Sequence, residues 1–217
     1  TWVIRDFRFK KVVMHEIGLH RVSQNDIHDG LDDLMGDYQS DITYVDPPWG
    51  TGHEKFFHTA LLKVDPDTTI PRPVENGFLE SFFQALYKHS KNMVFVEYGE
   101  RWHSEVQRNA EEAGFLPVAV IKVYYKASKK LLPYDLHIFS KIPVSLPANY
   151  VESVQGKVGG AAVSYTALAP FAVEGGILLD ACCGQGEFAK TALRLKMRFF
   201  GNEFNPARLT KTVQRLR

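Results

Sequence analysis

Four consecutive residues, Asp46-Pro47-Pro48-Trp49, bring together a carboxylate, a proline-fixed carbonyl and an indole. That set suits group transfer to an exocyclic amine. The amino nitrogen of adenine is a poor nucleophile, because its lone pair is delocalised into the ring. Acceptors aimed at both of its hydrogens favour a pyramidal nitrogen with a localised lone pair. Asp46 can supply one acceptor and the main-chain carbonyl of Pro47 the other, and two prolines hold both in place before any reaction. Trp49 offers a face on which a base can stack. The plainer reading of the same residues is a strand closed by a proline turn, with Trp49 at the rim of a core.

A second set lies near the other end of the chain. Gly176-Ile177-Leu178-Leu179-Asp180 reads as a strand, Ala181-Cys182-Cys183-Gly184-Gln185-Gly186 as a turn of small residues, and Phe188 to Leu195 as a helix. Arg198 to Glu203 is the next strand, with an acid near its end. Asn205 caps a final helix with Pro206 at its first position. Strand, glycine turn, helix, strand, acid is the layout of nucleoside-cofactor sites, where glycines admit the ligand and the acid accepts from ribose hydroxyls. Gly184-Gln185-Gly186 falls short of the full dinucleotide fingerprint, and no Lys-Ser/Thr pair follows to make a phosphate loop. A bare strand–helix–strand unit with a tight turn is the alternative.

The elements that must carry these sets follow from periodicity. Candidate strands lie near 19–23, 42–46, 93–97, 117–125, 133–140, 176–180 and 198–203. The run Ile42-Thr43-Tyr44-Val45 is a buried strand that Pro47 and Pro48 terminate, which places Asp46 at a carboxyl end, where open α/β sheets bind ligands. Phe78, Leu79, Phe82, Phe83, Leu86 and Tyr87 mark one face of a helix, and Trp102, Val106, Ala110 and Ala113 another, closed by Gly114. A small helix fits Leu31 to Met35, and a further one runs from Val163 as far as Ala169. Residues 127–130 join two long strands as a hairpin. Residues 1–17 fit a strand or an amphipathic helix equally, and 141–161 reads as an irregular crossing. Residues 50–76 have no clear period, and a loop of that length inside a domain is usually functional or mobile.

Together the two sets resemble the S-adenosylmethionine-dependent amino-methyltransferases that modify nucleic acids. In that family the catalytic tetrapeptide is (Asn/Asp/Ser)-Pro-Pro-aromatic. The order here, catalytic motif first and cofactor turn last, looks like the permuted β-class of DNA adenine methyltransferases. Gly201-Asn202-Glu203-Phe204-Asn205-Pro206 matches the family ending, and Asn25-Asp26 precedes the catalytic strand at about the family spacing. Ala181-Cys182-Cys183 departs from the usual Pro-Phe-x, and the crossing before it lacks the family's Lys-Pro opening.

The resemblance implies a single Rossmann-like α/β domain over residues 1–217, with a seven-stranded, mostly parallel sheet and an antiparallel edge hairpin. It implies N6 methylation of adenine in DNA, by direct in-line transfer from S-adenosyl-L-methionine to a flipped base. RNA adenine methylation, N4-cytosine methylation and a silent nucleic-acid-binding subunit of the same fold are the alternatives. Asp46, Pro47, Pro48 and Trp49 would hold the target. Asp180, Gly184 and Gly186 would surround the methionine moiety, Glu203 the ribose and Asp26 the cofactor adenine, with Cys182 and Asn205 as further cofactor-binding residues. No metal is required for direct methyl transfer.

Composition narrows the partners. Lys and Arg number 26 against 25 Asp and Glu, so any grip on nucleic acid must come from local patches. Lys55 and Arg72 in the 50–76 loop, with Lys126, Lys129 and Lys130 in the hairpin, are the candidate phosphate contacts. No insertion is large enough for a separate recognition domain. Target choice would then rest on the loop, a second copy of the chain or a partner subunit. Cys182 and Cys183 are adjacent and form neither a disulfide framework nor a zinc spacing, which fits a reducing compartment. Cytosine C5 chemistry, which needs an attacking thiolate after proline, does not fit Cys182 after Ala181. The histidines are scattered, with His53 and His58 expected at the surface. No signal peptide and no bilayer-spanning run are expected, so the reading places the chain in the cytoplasm, at the nucleoid if the source is bacterial or phage.

Overall fold

In the computed structural model, residues 6–7, 10–50 and 77–217 are described. A short ribbon pairs β1 (Asp6–Phe7) with β2 (Lys10–Lys11). The main strands are β3 (Val13–Ile17), β4 (His20–Gln24), β5 (Ser40–Val45), β6 (Ser90–Tyr98), β7 (Leu116–Ala127), β8 (Lys130–Ser140), β9 (Ile177–Asp180) and β10 (Arg198–Glu203). The helices are α1 (Asp32–Met35), α2 (Phe78–His89), α3 (His103–Glu112), α4 (Tyr150–Val154), α5 (Gly160–Leu168), α6 (Glu187–Arg194) and α7 (Pro206–Leu216).

Successive strand residues point to opposite faces, and the central strands are apolar on both. Tyr44, Met93, Phe95, Leu178 and Phe199 enter one core, under α4, α5, α6 and α7. Val45, Val94, Val96, Leu179 and Phe200 enter the other, under α1, α2 and α3. Burying both faces demands two helical layers, and the helices have the stripes to provide them. Phe78, Leu79, Phe82, Phe83 and Leu86 of α2 are buried together, as are Leu209, Val213 and Leu216 of α7. The start of α7 is fixed locally: Asn205 Oδ1 accepts from the backbone N–H of Ala207 and of Arg208, at 2.9 and 3.2 Å.

The eight main strands are ordered β3-β4-β10-β9-β5-β6-β8-β7. From β4 to β6 all neighbours are parallel, while β3 pairs antiparallel with β4, β8 with β6 and β7 with β8. The chain moves outward one way from β9 to β10 and the other way from β5 to β6, so the order reverses between β9 and β5. Such a reversal opens a crevice beyond the strand ends.

All seven expected strands are present, each within a few residues of its expected bounds. The eighth, β3, lies in the stretch that fitted strand or helix. Four of its five residues are half-buried, so it carries no clean alternation to read. It adds a second antiparallel edge to the one expected. The crossing at 141–161 also contains a short helix, α4, whose Tyr150 hydroxyl donates to the Ala167 carbonyl at 2.7 Å and ties it to α5.

Candidate active site

Four adjacent parallel strands, β10, β9, β5 and β6, each deliver a carboxylate at the same end of the sheet. Glu203 closes β10, Asp180 closes β9, Asp46 follows β5, and Glu97 is the penultimate residue of β6. A cavity of about 550 Å³ opens there, lined by Asp46, Pro47, Trp49, Glu97 and Asp180, by the turn Cys182 to Gln185, and by Tyr125, Tyr134, Phe188, Arg208 and Arg215. The two sequence sets are thus brought to one place, because β5 and β9 are neighbours with Ile42 opposite Leu178 and Thr43 opposite Leu179.

Within the tetrapeptide, the Trp49 indole Nε1–H donates to Asp46 Oδ1 at 2.9 Å. The indole packs near Tyr98, Tyr125 and Tyr134, with ring centroids 5.5 to 6.5 Å away. The Gly50 N–H donates to the Tyr98 hydroxyl at 2.9 Å, tying the loop to β6. Behind it, the Trp102 ring lies against both Gly50 and Gly99. A Cβ would come within 2.5 Å of the ring at Gly50 and 2.6 Å at Gly99.

Crowding the carboxylates changes their protonation. Asp46 faces the open cavity, yet protein surrounds it closely enough for lost hydration to raise its pKa to about 6, against the opposing pull of the Trp49 donor and of Arg208. Glu97 and Asp180 are also pushed up by burial, and the charge of Asp46 adds to both. Glu97 accepts from the Tyr44 hydroxyl at 2.5 Å and also from Tyr134. Both cysteine thiols are pushed well above their ordinary range by burial and by the neighbouring carboxylates, so neither is poised as a nucleophile.

The glycine turn is built around Glu203. One of its oxygens accepts from the Gly184 N–H at 2.8 Å and the other from the Asn205 N–H at 2.7 Å. The Gly184 carbonyl accepts from the Thr212 hydroxyl at 3.0 Å. The backbone of Gly184 is therefore bonded within the protein, and glycine is needed here for shape. Gly184 and Gly186 both have positive φ, +53° and +78°, and added Cβ atoms would meet the Arg208 guanidinium at 2.5 Å and Thr212 at 2.9 Å respectively.

Of the expected site residues, Asp46, Pro47, Trp49, Asp180, Cys182 and Gly184 line the cavity. Gly186, Glu203 and Asn205 frame the turn behind it. Asp26 caps the 3₁₀ turn Ile27–Asp29, accepting from the His28 N–H at 3.0 Å, and lies near enough to Cys182 to help raise that thiol's pKa. Pro48 is half-buried and does not line the cavity. Lys129 and Lys130 are exposed at the β7–β8 hairpin. Because Asp135 of β8 pairs with Tyr98 at the end of β6, the hairpin projects past the same sheet end as Asp46. Lys55 and Arg72 lie outside the described residues, as does all of the 50–76 loop except Gly50.

Sequence reasoning did not pick out Glu97, Tyr125, Tyr134 or Arg208. For Glu97 a signal existed, an acid closing the apolar run Met93 to Val96, just as Asp46 closes Ile42 to Val45. For the tyrosines it did not, since aromatic residues occupy both faces of that hairpin.

No family model and no curated protein matches the chain. Solved structures match its fold over most of their length. The complex of M1.HpyAVI with S-adenosylmethionine superposes with a TM-score of 0.64 over 90% of this chain and 98% of its own, at 14% identity. TTHA0409 of Thermus thermophilus, provisionally assigned as a DNA modification methylase and also solved with S-adenosyl-L-methionine, gives 0.61 over 91% and 93%, at 16% identity. The cytosine-N4-specific PvuII DNA methyltransferase gives 0.60 over 89% and 85%, at 12% identity. The chain has the α/β fold of these methyltransferases.

Proposed function

We propose that the protein is an S-adenosylmethionine-dependent DNA methyltransferase acting on the exocyclic N6 amine of adenine. The observation that carries this reading is the meeting of Asp46 and Pro47 with the Gly184 turn in one cavity at the sheet's order reversal. The structural neighbours solved with S-adenosylmethionine support the cofactor.

The residues present fit that cofactor. Its sulfonium is a cation, and beside Asp46, Glu97 and Asp180 on three neighbouring strands that charge would favour the ionised carboxylates that burial disfavours. Glu203 sits at the next strand end. Its bonds from the backbone N–H groups of Gly184, Asn205 and Phe204 still leave acceptor capacity for a ribose hydroxyl, since a carboxylate has about four acceptor positions. Phe188 and Cys183 give the cavity apolar wall.

When bound, the cofactor supplies an electrophilic methyl carbon whose bond to sulfur breaks as the nitrogen–carbon bond forms, leaving a neutral thioether. The chain's part is orientation. Asp46 Oδ1 is held by Trp49, so Oδ2 is the acceptor available to one amine hydrogen, and the Pro47 carbonyl takes the other. Together they localise the nitrogen lone pair toward the methyl group. The proton lost after transfer leaves through the open side of the cavity to solvent. Trp49, Tyr125 and Tyr134 form an aromatic wall against which a flipped base can stack.

The test is transfer of tritium from methyl-labelled cofactor to DNA and RNA in parallel, followed by digestion and separation of nucleosides. Label in N6-methyldeoxyadenosine is expected. Label in N4-methyldeoxycytidine would move the assignment to the second reading, which the PvuII neighbour favours. No label in any nucleic acid, from protein that binds cofactor, leaves the silent-subunit reading.

A further inference from the structure

On the opposite face of β8 from Tyr134, three side chains meet that methyl transfer does not use. His103 begins α3, and Asp135 and His137 are two residues apart on β8, so they share a face. One donor atom from each lies within 4.8 Å of the other two, and among the described residues no other trio of His, Cys, Asp or Glu does so. We propose that His103, Asp135 and His137 form a site for a divalent transition cation of the zinc class, which fastens the start of α3 to β8.

His137 is the observation that points to a ligand. It is fully buried, 0% exposed, and neither ring nitrogen has a hydrogen-bond partner. A buried imidazole normally satisfies at least one nitrogen, and leaving both unbonded costs free energy that folding must offset elsewhere. Its ring stacks on Phe139 at 5.8 Å and approaches the His103 ring at 5.2 Å, so both packing partners hold it in place. A bound cation would give one of the two orphaned nitrogens its partner.

The spacing suits such an ion. His103 Nδ1 and Asp135 Oδ2 are 3.3 Å apart. In a tetrahedral zinc site with bonds of about 2.0–2.1 Å, neighbouring ligand atoms stand about 3.4 Å apart. One ring nitrogen of His137 lies within 4.8 Å of both and would supply the third ligand. Two imidazoles and one carboxylate favour zinc-like ions over magnesium or calcium, which prefer all-oxygen sets. The His103 side chain is 42% exposed, which leaves the fourth position open to water.

The surroundings supply the outer support that metal-bound carboxylates use. Lys122 pairs across the hairpin with Asp135, and its ammonium lies 3.6 Å from Oδ1, the oxygen turned away from His103. Glu100 in turn pairs with Lys122 and offsets its charge. The site also connects to the loop described above, because His103 directly follows Trp102, whose ring packs on Gly50 and Gly99. An ion there fixes the backing of the Asp46 loop without touching substrate.

The inference is independent of the methyltransferase reading, and its test reads binding directly. Full-length protein is treated with a chelator, then titrated calorimetrically with Zn²⁺ and followed by thermal melting. One Zn²⁺ per chain and a raised Tm are expected. His137→Phe keeps the stacking on Phe139 and removes the two unbonded nitrogens. It should fold with an unchanged or higher metal-free Tm while losing about a hundredfold or more in Zn²⁺ affinity. Asp135→Asn, followed by the visible absorption of Co²⁺ in place of zinc, should lose the intense bands of a four-coordinate site. Absence of saturable Zn²⁺ binding by the wild type overturns the proposal. So does equal binding by His137→Phe or an unchanged Co²⁺ spectrum in Asp135→Asn, because the ion then sits on other residues.

Discussion

The Trp49 indole Nε1–H donates to Asp46 Oδ1 at 2.9 Å, a bond closed within a single tetrapeptide. Trp49 therefore has two duties under the proposed function. It fixes the carboxylate that faces the amine, and it contributes to the aromatic wall. Asp46→Ala should cut methyl transfer about a hundredfold or more, as loss of one preorganised group typically does, with cofactor affinity little changed. Trp49→Phe keeps a ring but removes the donor, so it should lose rate more than DNA affinity. Single-turnover tritium transfer separates these, and full activity in Asp46→Ala would end the proposed mechanism.

The proton state of Asp46 gives a second expectation. Its pKa is pushed up to about 6 by lost hydration, and the proposed role needs the ionised form. Activity should rise with pH through about 6 and then level. The same shift acts on stability with a defined sign. An unfolded aspartate has a pKa of about 3.9, so between the two values the folded state binds more protons. Stability then falls as pH rises through that window, and the whole loss is present above it. Asp46→Asn keeps an acceptor for Trp49 and should melt higher than wild type at pH 7.5, with the difference vanishing near pH 4. Solvent reaches Asp46 through the cavity, so the gain should be modest. A lower Tm for Asp46→Asn at pH 7.5 would show that the carboxylate is no burden to the fold.

Glu203 holds the turn from behind through the N–H groups of Gly184 and Asn205. Glu203→Ala should weaken S-adenosylmethionine or S-adenosylhomocysteine binding by about 1–3 kcal/mol, the cost of leaving polar partners unpaired. Titration calorimetry on Ala and Gln variants checks this. Unaltered affinity in both would remove Glu203 from the ligand's surroundings.

Gly186 has φ +78°, and a Cβ there would stand 2.9–3.0 Å from Thr212, including its backbone Cα. Gly186→Ala should cost about 1–3 kcal/mol in stability, since strained backbone and contact add. Gly30 also has positive φ, but open space surrounds its Cβ position. Gly30→Ala should therefore be milder, and denaturant melts giving equal losses would refute the contact argument.

Lys129 and Lys130 project past the sheet end that carries Asp46. Reversing both charges should weaken DNA binding and lower the slope of log affinity against log salt by roughly two, about one per lost phosphate contact. The loss should be similar on all sequences, because phosphate contacts carry no base readout. An unchanged slope means these lysines do not touch the backbone.

What the sequence determined by itself was whatever local chemistry enforces. Two prolines had to stop β5 after Val45 and so put Asp46 at a strand end. Asn205 with Pro206 had to start α7, and apolar runs buried on both faces had to become central strands. The glycine turn after β9 was legible for the same reason, since positive φ leaves its mark on residue type. The half-buried β3 was not, because its residues fit neither period cleanly.

Only the tertiary structure decided which of these local pieces meet. Strand order set β5 beside β9 and β6, and so brought together Asp46, Asp180 and Glu97, which lie far apart in the chain. Hairpin register decided that Tyr125 and Tyr134 turn toward the cavity while Asp135 and His137 turn away toward His103. A side chain's face depends on a pairing register that aromatic residues on both sides of the hairpin do not reveal. The raised pKa of Asp46 is likewise a product of assembly: it comes from loss of water at the meeting of strand ends, and no residue of the tetrapeptide could produce it alone.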